Sequence, residues 1–396
     1  RYEYAPMKCS VIVYNESKYE YIRSDRIWLL GNSQIEEEEN YKHLGVFNNK
    51  YLKLEPNIKN ATDKLKGTFF SLVKSGIFYQ DSLHPITCKK IYNAVVLPKA
   101  LYGCEHWNTL TPTEILTLER AHRFCIKQMQ SLGIRTRTDV ALGLLAFLPI
   151  EVEIELKKLI LFGQLCRLNS NFWARTLFLN RLTTYKIAPA KQMGFIPDID
   201  RLLRKYQLGH ILEKYLQDGI FPSKYSWKRI IKVKVHQKAT EAWHNRTLTP
   251  EFHRFRLVHS EFRTHWLWAF SLENRKFLKP CITMVQLISK LCIINATDVC
   301  NYCHRNYDNI VDHCIHDCLY ILRQRHIFWQ EILSLGLDVY RYLSMQSKIV
   351  LSNIFLGSEC QELYQLLSEK SEQFMIICIR NLHHMWRMYC SYNVPL

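Results

Sequence analysis

The spacing of apolar residues changes along the chain from an alternating pattern to a helical one. Two runs of β-forming residues, at 11–13 and 27–30, predict strands near the start, and Gly31-Asn32-Ser33 predicts the turn of a hairpin. From Glu55 onward, apolar residues recur every three or four positions, which is typical of amphipathic helices. The sequence therefore predicts a mainly α fold with a short N-terminal β segment.

Prolines and capping residues mark where several of these helices begin. Pro56 and Pro85 suit first helical turns, and Thr111-Pro112-Thr113-Glu114 is a capping box that predicts a helix from 112 to about 130. Pro98 is expected to kink or divide the helix that Pro85 opens. Most of the chain up to residue 168 should thus form four or five packed helices.

The pattern after Pro149 predicts one more amphipathic helix, at 150–168, and then a break. Its inward-facing residues are expected to be Ile154, Leu161 and Leu165. Its outward-facing residues are expected to be Glu151, Glu153, Glu155, Lys157 and Lys158. The mixed stretch 169–200 contains Pro189 and Pro197, so it is a linker candidate. Beyond Cys318, an apolar stripe with Leu322, Phe328, Trp329, Ile332 and Leu333 and a final helix from about Ser371 are expected to form core.

The composition predicts the number of helical units, the charge of the partner and the cellular compartment. The 396 residues are 48% hydrophobic, enough for two or three helical units, and the net charge of +17 favours a polyanionic partner, nucleic acid ahead of an acidic membrane. Apolar runs fall short of the roughly 18 to 20 residues of a membrane span. Fourteen cysteines without a signal peptide favour a reducing compartment. We expect a soluble intracellular protein, in the nucleus or cytoplasm.

A cysteine and histidine pattern near the C-terminus has the spacing of a metal site. Cys300, Cys303, His313 and Cys318 form C-x2-C-x9-H-x4-C. Four such ligands without an open position predict a structural zinc ion rather than a catalytic one. His304, Cys314 and His316 are alternative ligands, and chance proximity in a chain rich in cysteine is the other interpretation.

Two basic segments are candidates for nucleic-acid contacts. Arg135 and Arg137 flank hydroxyls in a short loop and suit phosphate contacts or caps on carbonyl groups. Between 224 and 263, Lys and Arg far outnumber Glu; the cations singled out there are Lys228, Arg229, Lys232 and Lys234. Aromatics alternate with these charges, which predicts phosphate neutralisation with base stacking. The alternative is that the aromatics fill a helical core and the cations coat its outside.

Several blocks between Tyr41 and Leu168 resemble one family. YKHLGV, LPKALYGCEHW, LTPTEILTLERAHRFCIKQMQ, RTRTD and LPIEVEIELKKL resemble the region after the polymerase palm in reverse transcriptases of non-LTR (long interspersed element) retrotransposons. The resemblance implies that YKHLGV is a primer-grip strand, in which Tyr41, Leu44 and Gly45 hold the primer end. It implies that Lys8 protonates the leaving pyrophosphate, and that the cysteine pattern is the cysteine-rich element of such proteins.

The resemblance also divides the chain into four segments. Residues 1–50 would be the end of the polymerase palm, 51–168 the helical thumb and its extension, 169–290 a linker and basic helical connector, and 291–396 a small zinc-bound module with C-terminal helices. The expected partners are element RNA, target DNA, their RNA–DNA duplex and an N-terminal polymerase region that precedes Arg1.

One departure from the family decides what this chain can do. Nucleotidyl transfer needs clustered carboxylates that hold two Mg²⁺ ions, and the sequence contains no Asp-Asp pair. We therefore expect this chain alone to be inactive as a polymerase, with magnesium acting only in the intact parent. The alternatives are a helical protein-interaction or scaffold module and a domesticated nucleic-acid-binding host protein.

Overall fold

The structure, a computed structural model, describes residues 9–14, 26–76, 83–107, 109–189, 194–292 and 298–391. Within these ranges the protein is mainly helical, with short strands near its N-terminus. This confirms the predicted fold class at that level of detail. Lys8 lies outside the described residues, so its proposed role stays a prediction. Among the described helices, none combines the length and apolar character that crossing a bilayer demands.

Short strands form hairpins near the N-terminus and at residues 298–307. They are β1 (Ser10–Val11), β2 (Trp28–Leu30), β3 (Ser33–Glu37), β4 (Asn40–His43), β5 (Val46–Asn49), β6 (Asp298–Val299) and β7 (Asn306–Tyr307). Strand β3 pairs with β2 in an antiparallel hairpin, as predicted, and in parallel with β1. The YKHLGV block was expected to be one strand. It is instead the β4–β5 hairpin, whose turn residues Leu44 and Gly45 both have positive φ.

Helices make up the rest of the described chain. The first ten are α1 (Glu55–Lys74), α2 (Pro85–Ile91), α3 (Leu97–Ala100), α4 (Pro112–Met129), α5 (Thr138–Leu145), α6 (Ile150–Arg167), α7 (Trp173–Ile187), α8 (Phe195–Lys205), α9 (Gly209–Asp218) and α10 (Lys224–Thr247). They are followed by α11 (His253–Val258), α12 (Trp266–Glu273), α13 (Leu278–Lys290), α14 (Ile310–Asp312), α15 (Leu322–Leu333), α16 (Leu337–Ser344), α17 (Lys348–Phe355), α18 (Gln361–Leu367) and α19 (Ser371–Ser391).

The helix starts predicted from caps and prolines are confirmed. At the start of α4, the backbone N–H of Thr111 donates to Glu114 Oε2 at 2.8 Å, and the N–H of Glu114 donates to Thr111 Oγ1 at 3.3 Å. This reciprocal pair is the capping box. The helix that Pro85 opens is divided as expected, because a π-helical segment at Tyr92–Val96 separates α2 from α3.

The chain forms two compact units that alternate along the sequence. Unit 1 comprises the described residues of Arg1–Thr68, Ala94–Ala121 and Ile150–Val235, and unit 2 those of Phe69–Asn93, His122–Pro149 and His236–Leu396. Helices α1, α4 and α10 each continue from one unit into the other. The division into four consecutive segments stays a prediction.

The core of unit 1 includes the segment that was expected to be a linker. Helices α7 and α8 occupy most of 169–200, and they contribute Phe178, Leu182, Ile196 and Ile199 to a core shared with Trp227. The linker prediction is therefore wrong for these residues. The prediction failed because Pro197 lies in the first turn of α8, where a missing N–H breaks no helical hydrogen bond.

Two charges expected on the outer face of α6 are buried. Lys158 donates to Asp198 Oδ2 at 2.5 Å, and Glu155 accepts from Lys205 Nζ at 2.7 Å and from the Tyr206 hydroxyl at 2.5 Å. Burial of these charges is tolerated because each has an opposite charge and further hydrogen-bond partners. The inward prediction holds for buried Ile154, whereas Leu161 and Leu165 are only half-buried.

The core of unit 2 surrounds its last helix. Helix α19 is predicted well, because Phe374, Ile377, Cys378, Ile379, Met385 and Trp386 are all buried. The Phe355 ring of α17 lies 4.9 Å from that of Phe328 in α15. The predicted stripe is wrong at its two ends, since Leu322 and Leu333 are 58% and 45% exposed. Both leucines face away from the contacts that bury Phe328 and Ile332.

Candidate metal centre

The four cysteine and histidine residues singled out by spacing converge in unit 2. Their ligand atoms all lie within 4.8 Å of one another. Cys300 Sγ is 3.9 Å from Cys318 Sγ, and Cys303 Sγ is 3.5 Å from His313 Nε2. A tetrahedral Zn²⁺ with its usual bond lengths of about 2.3 Å to sulfur and 2.0 Å to nitrogen would need edges of about 3.8 Å between two sulfurs and about 3.5 Å between sulfur and nitrogen. These two distances match the edges of such a tetrahedron, and the four residues together could hold a metal ion.

The first two ligands are positioned by the β6–β7 hairpin. The N–H of Cys300 donates to Arg305 O at 3.0 Å, and the N–H of His304 donates to Cys300 O at 2.9 Å. His304 has a φ of 50°, a left-handed conformation that reverses the chain directly after Cys303. This tight turn brings both sulfur atoms to the same end of the hairpin and leaves the His304 side chain exposed.

The other two ligands come from a short helical turn that follows a side-chain cap. Asn309 Oδ1 accepts from the N–H of Val311 at 2.9 Å and starts α14, which continues into a π-helical turn at His313–Asp317. The N–H of Cys318 donates to His313 O at 2.9 Å. This hydrogen bond across five residues places the imidazole and the last thiol on the same side.

Aromatic and cationic side chains surround the cluster. The rings of Tyr302 and Tyr320 stack with centroids 4.4 Å apart, which links the segments that carry the first and last ligands. The ring of Tyr307 stacks on that of His313 at 5.1 Å. Arg325 donates to Ile315 O and Cys318 O, both at 2.8 Å, so it satisfies carbonyl groups left free by the π-helical turn.

Local electrostatics differ among the thiols. Burial disfavours the Cys300 thiolate, but backbone hydrogen bonds from Cys303 and Tyr302 outweigh it, so the pKa of Cys300 lies below its ordinary value. Burial raises the pKa of Cys318 to about 11 despite a backbone hydrogen bond from Tyr320. Burial also lowers the pKa of His313, which favours the neutral imidazole that metals bind.

The two remaining candidate ligands lie outside the cluster. Cys314 is 1% exposed, and burial raises the pKa of its thiol well above the ordinary value. His316 Nε2 forms a hydrogen bond with Ser352 Oγ at 3.0 Å. The choice among ligands that the sequence left open therefore falls on Cys300, Cys303, His313 and Cys318.

The metal element, residues 298–321, is fixed to neighbouring helices of unit 2 by ion pairs. Arg254 of α11 contacts both carboxylate oxygens of Asp312, at 2.7 and 2.8 Å. Lys348 of α17 lies 2.5 Å from Asp317. Asp312 and Asp317 of the metal element thus pair with cations of the same unit. These ion pairs fix the position of the metal element within unit 2.

The arginines of the RTRT loop differ in their contacts. Arg137 Nη2 lies 2.6 Å from Glu251 Oε2, and its guanidinium is 5.8 Å from the centre of the Phe252 ring. Arg135 is exposed and lines a cavity together with Lys290. Nucleic-acid binding by either arginine stays a prediction.

The aromatics between 224 and 268 fill core, which is the alternative that the sequence left open. Trp227 donates to Leu159 O in unit 1, and Trp243 donates to Asp139 O in unit 2, both at 2.8 Å. Phe252, Phe255, Phe262 and Trp268 are buried as well. The predicted stacking of bases is therefore wrong for these buried rings, whereas it stays a prediction for Tyr225, which is 83% exposed, and for the half-buried Trp266.

The cations of α10 lie outside that core. Arg229 and Lys232 are exposed, and Lys228 and Lys234 are half-buried. Among the residues that the structure describes, none of the four forms an ion pair with a carboxylate. Other cations of the same helix differ, because Arg246 pairs with Asp139 at 2.8 Å.

The proposed primer-grip residues lie on the β4–β5 hairpin in unit 1. The hairpin is held to the first turn of α1, where Asn57 accepts from the N–H of Phe47 at 3.0 Å and donates to its carbonyl at 2.7 Å. Leu44 at the turn is 78% exposed, Tyr41 is half-buried, and Gly45 approaches the Tyr102 ring. Primer contact by these residues stays a prediction.

Sequence reasoning missed the supporting residues of the site. The Tyr302–Tyr320 stack and the Arg325 contacts join residues in conformations that spacing does not reveal. The cap at Asn309 carried a readable signal, since asparagine before an apolar turn is a common helix start.

Comparisons with known proteins do not assign the chain to a family. A scan against protein-family models, a search of curated proteins and a search of solved structures each gave no match. The function is therefore argued from the residues of this chain.

Proposed function

We propose that this chain is the C-terminal, nucleic-acid-binding portion of a non-LTR retrotransposon reverse transcriptase. It would hold element RNA, target DNA or their duplex on the cationic surface of α10, while a zinc ion stabilises the metal element. The blocks between Tyr41 and Leu168 support the family. The observation that carries the binding function is the set of α10 cations, Lys228, Arg229, Lys232 and Lys234, that form no ion pair within the described part of the chain.

These cations have a spacing that is unfavourable without a ligand. Lys224, Lys228 and Lys232 follow one another at intervals of four residues, about 6 Å apart along the helix axis. Like charges at this interval destabilise a helix by roughly 0.2–0.5 kcal/mol per pair. A polyanion removes that repulsion and gains from the release of its counterions. Such a row therefore favours a nucleic-acid backbone as the partner.

Zinc is the metal that suits the cluster best. Three thiols and one imidazole whose ligand atoms lie within 4.8 Å of one another form a soft ligand set, and soft sets select Zn²⁺ over Mg²⁺ or Ca²⁺. Four protein ligands leave no position for substrate or water. The ion would thus stabilise the fold of the metal element and take no part in chemistry.

Binding rather than synthesis is the proposed activity. The chain has no adjacent pair of aspartates, so the carboxylates that hold two Mg²⁺ ions for nucleotidyl transfer would have to come from the parent polymerase. Within this chain, the thumb-like helices and the metal element would position the nucleic acid. Nucleotide incorporation on a primed RNA by the chain alone would contradict this part of the proposal.

The test is the salt dependence of RNA binding by the full chain, measured by fluorescence anisotropy. Each neutralised phosphate of a single strand contributes about 0.7 to the slope of log affinity against log salt. The variant K228S/R229S/K232S/K234S is expected to lower that slope by up to about 3. The matched control removes the same number of cations from exposed sites on other helices: K186S/K214S/R341S/R387S. Equal slopes in the two variants would contradict binding on α10.

A helical scaffold is the second candidate function. It is favoured by the metal element itself, because Asp312 and Asp317 already pair with Arg254 and Lys348 within unit 2. A scaffold predicts RNA affinity that is low and no different between the two quadruple variants. The same titration therefore separates the two functions.

A further inference from the structure

A cavity of about 340 Å³ in unit 2 lies between the turn that follows α4 and the last turn of α13. Among the described residues, its lining contains two cations and no carboxylate. The lining residues are Gln128, Ser131, Leu132, Gly133, Arg135, Thr136, Gln286, Ser289 and Lys290. Its size is at the lower end of ligand sites, which suits a small group.

The turn that forms one wall is held in a defined conformation. Gln286 of α13 donates to Ser131 O at 2.7 Å, and Ser131 itself has a φ of 53°. The N–H of Thr136 donates to Gly133 O at 3.0 Å. Lys127 donates to Ile134 O at 2.7 Å from outside the cavity. The two walls are thus linked, and the cavity does not depend on a loop without contacts.

Several polar side chains that line the cavity carry hydrogen-bond donors without an acceptor among the described residues. Within the described ranges, no hydrogen bond or ion pair is formed by the side chains of Gln128, Ser131, Arg135 or Thr136. Residues that carry a guanidinium, two hydroxyls and an amide therefore line the same cavity, and these groups have no acceptor among the described residues. Convergent donors of this kind fit an oxygen-rich anion.

Lys290 is the strongest sign that the ligand is negatively charged. Lys290 is half-buried, and its ammonium group lies 5.5 Å from the centre of the Trp386 ring and has no carboxylate partner among the described residues. Burial lowers the pKa of Lys290. A charge removed from water is unfavourable unless it is paired, so an anion in the cavity would offset this burial.

We propose that this cavity binds a phosphate group through Arg135 and Lys290, with the hydroxyls of Ser131 and Thr136 as further donors. Arginine matches two phosphate oxygens at once, and lysine supplies a point charge. The site itself follows from its lining. Only the source of the phosphate, a nucleotide strand, rests on the proposed function.

The experiment compares a tetranucleotide with inorganic phosphate on the full chain. Anisotropy of a labelled single-stranded tetranucleotide gives its affinity, and inorganic phosphate is added as competitor. The variant R135Q/K290Q is expected to bind the tetranucleotide about tenfold more weakly, with a salt slope lower by about 0.7. The control R341Q/K276Q removes one arginine and one lysine from exposed positions in the same unit. The single variant R135Q, at an exposed residue, keeps the test valid if replacement of Lys290 disturbs folding.

The outcomes separate this site from the proposed function. Weaker tetranucleotide binding by R135Q/K290Q, with competition by phosphate, supports a strand phosphate in the cavity. Phosphate binding that is lost in R135Q/K290Q, in a chain that ignores nucleic acid, supports the site with free phosphate and contradicts the proposed function. Unchanged affinity for both probes in R135Q/K290Q and R135Q overturns the site, while the α10 variants still decide the proposed function.

Discussion

Cys318 shows how one residue can decide whether the metal element folds. Its sulfur lies 3.9 Å from that of Cys300, and its carbonyl accepts a hydrogen bond from Arg325 at 2.8 Å. We expect C318A to lose the bound zinc, about one equivalent per chain in the parent, and to lower the free energy of unfolding by more than about 3 kcal/mol. Elemental analysis and urea denaturation measure the two effects.

The matched control for this prediction is C314A, four residues away in the same turn. Cys314 is buried but lies outside the ligand set, so its replacement should cost about 1 kcal/mol and leave the zinc content unchanged. Loss of zinc from C314A with retention in C318A would mean that the ligand set is assigned wrongly.

His259 gives unit 2 a stability that depends on pH. Its ring nitrogen Nε2 lies 3.1 Å from Gly143 O, and burial lowers its pKa to about 4, against an ordinary value of 6.5. Between these two values the unfolded chain binds a proton that the folded chain does not. Stability from this residue is therefore full above pH 6.5 and is lost as the pH falls toward 4, by up to about 1.4 kcal/mol per pH unit.

The variant H259Q tests this dependence, because glutamine keeps an N–H donor and does not titrate. Its free energy of unfolding, measured by urea denaturation between pH 7 and pH 5, should fall less steeply than that of the parent chain. His253, an exposed histidine in the same unit, provides the control H253Q, which should keep the parent's slope. An identical slope for H259Q would show that this imidazole is not responsible.

At the scale of elements, the packing of α6 on α10 in unit 1 depends on one glycine. Gly163 lies against Trp227, and a Cβ atom there would overlap the indole ring, which donates to Leu159 O at 2.8 Å. We expect G163A to destabilise unit 1 by about 1–3 kcal/mol.

At Gly67 in α1, an added methyl group would have no neighbour within 4 Å, so G67A should stabilise the helix by about 0.5–1 kcal/mol. Thermal unfolding compares the two substitutions directly, and the same sign for both would contradict the packing argument.

Elements were predictable from sequence where local chemistry determines them. The cap at Thr111 and the break before Pro98 act over a few residues, and both are confirmed. The cysteine spacing correctly predicted that four ligand residues lie close together, because its ligands fall within 19 residues. Burial of Glu155 and Lys158 was not predictable, because their partners lie 40 to 51 positions further along the chain. A period of 3.6 residues separates polar from apolar faces but does not show where a buried ion pair replaces apolar contact.

At the scale of the whole molecule, the cations proposed to bind nucleic acid and the residues proposed to bind metal belong to different elements. Unpaired cations lie on α10, whereas the metal element uses Asp312 and Asp317 in ion pairs within unit 2. Net charge alone could not show this, because it does not report which cations are neutralised inside the protein. The two units were not predictable either, since each is assembled from three stretches of chain that alternate along the sequence. Nucleic-acid binding and metal binding are therefore expected to be separable by mutation.

Metal removal should affect the two units unequally. The element is joined to α13 through Asn309, which donates to Lys290 O at 3.2 Å, to α11 through Arg254 and to α17 through Lys348. The core of unit 1, around Phe162 and Trp227, contains no ligand residue. Without zinc, the hairpin and the π-helical turn lose their cross-link, and the helices joined to them lose part of their packing.

Hydrogen exchange with and without a zinc chelator measures this difference. We expect faster amide exchange in the metal element and in α13 and α17 after chelation, unchanged exchange in α6 to α9, and recovery when zinc is added back. The variant C318A should exchange like the chelated parent and should not respond to chelator, which controls for effects of the chelator itself. Faster exchange throughout both units would show that the metal supports the whole chain, and no change at all would show that the cluster does not bind the ion tightly enough to stabilise the fold.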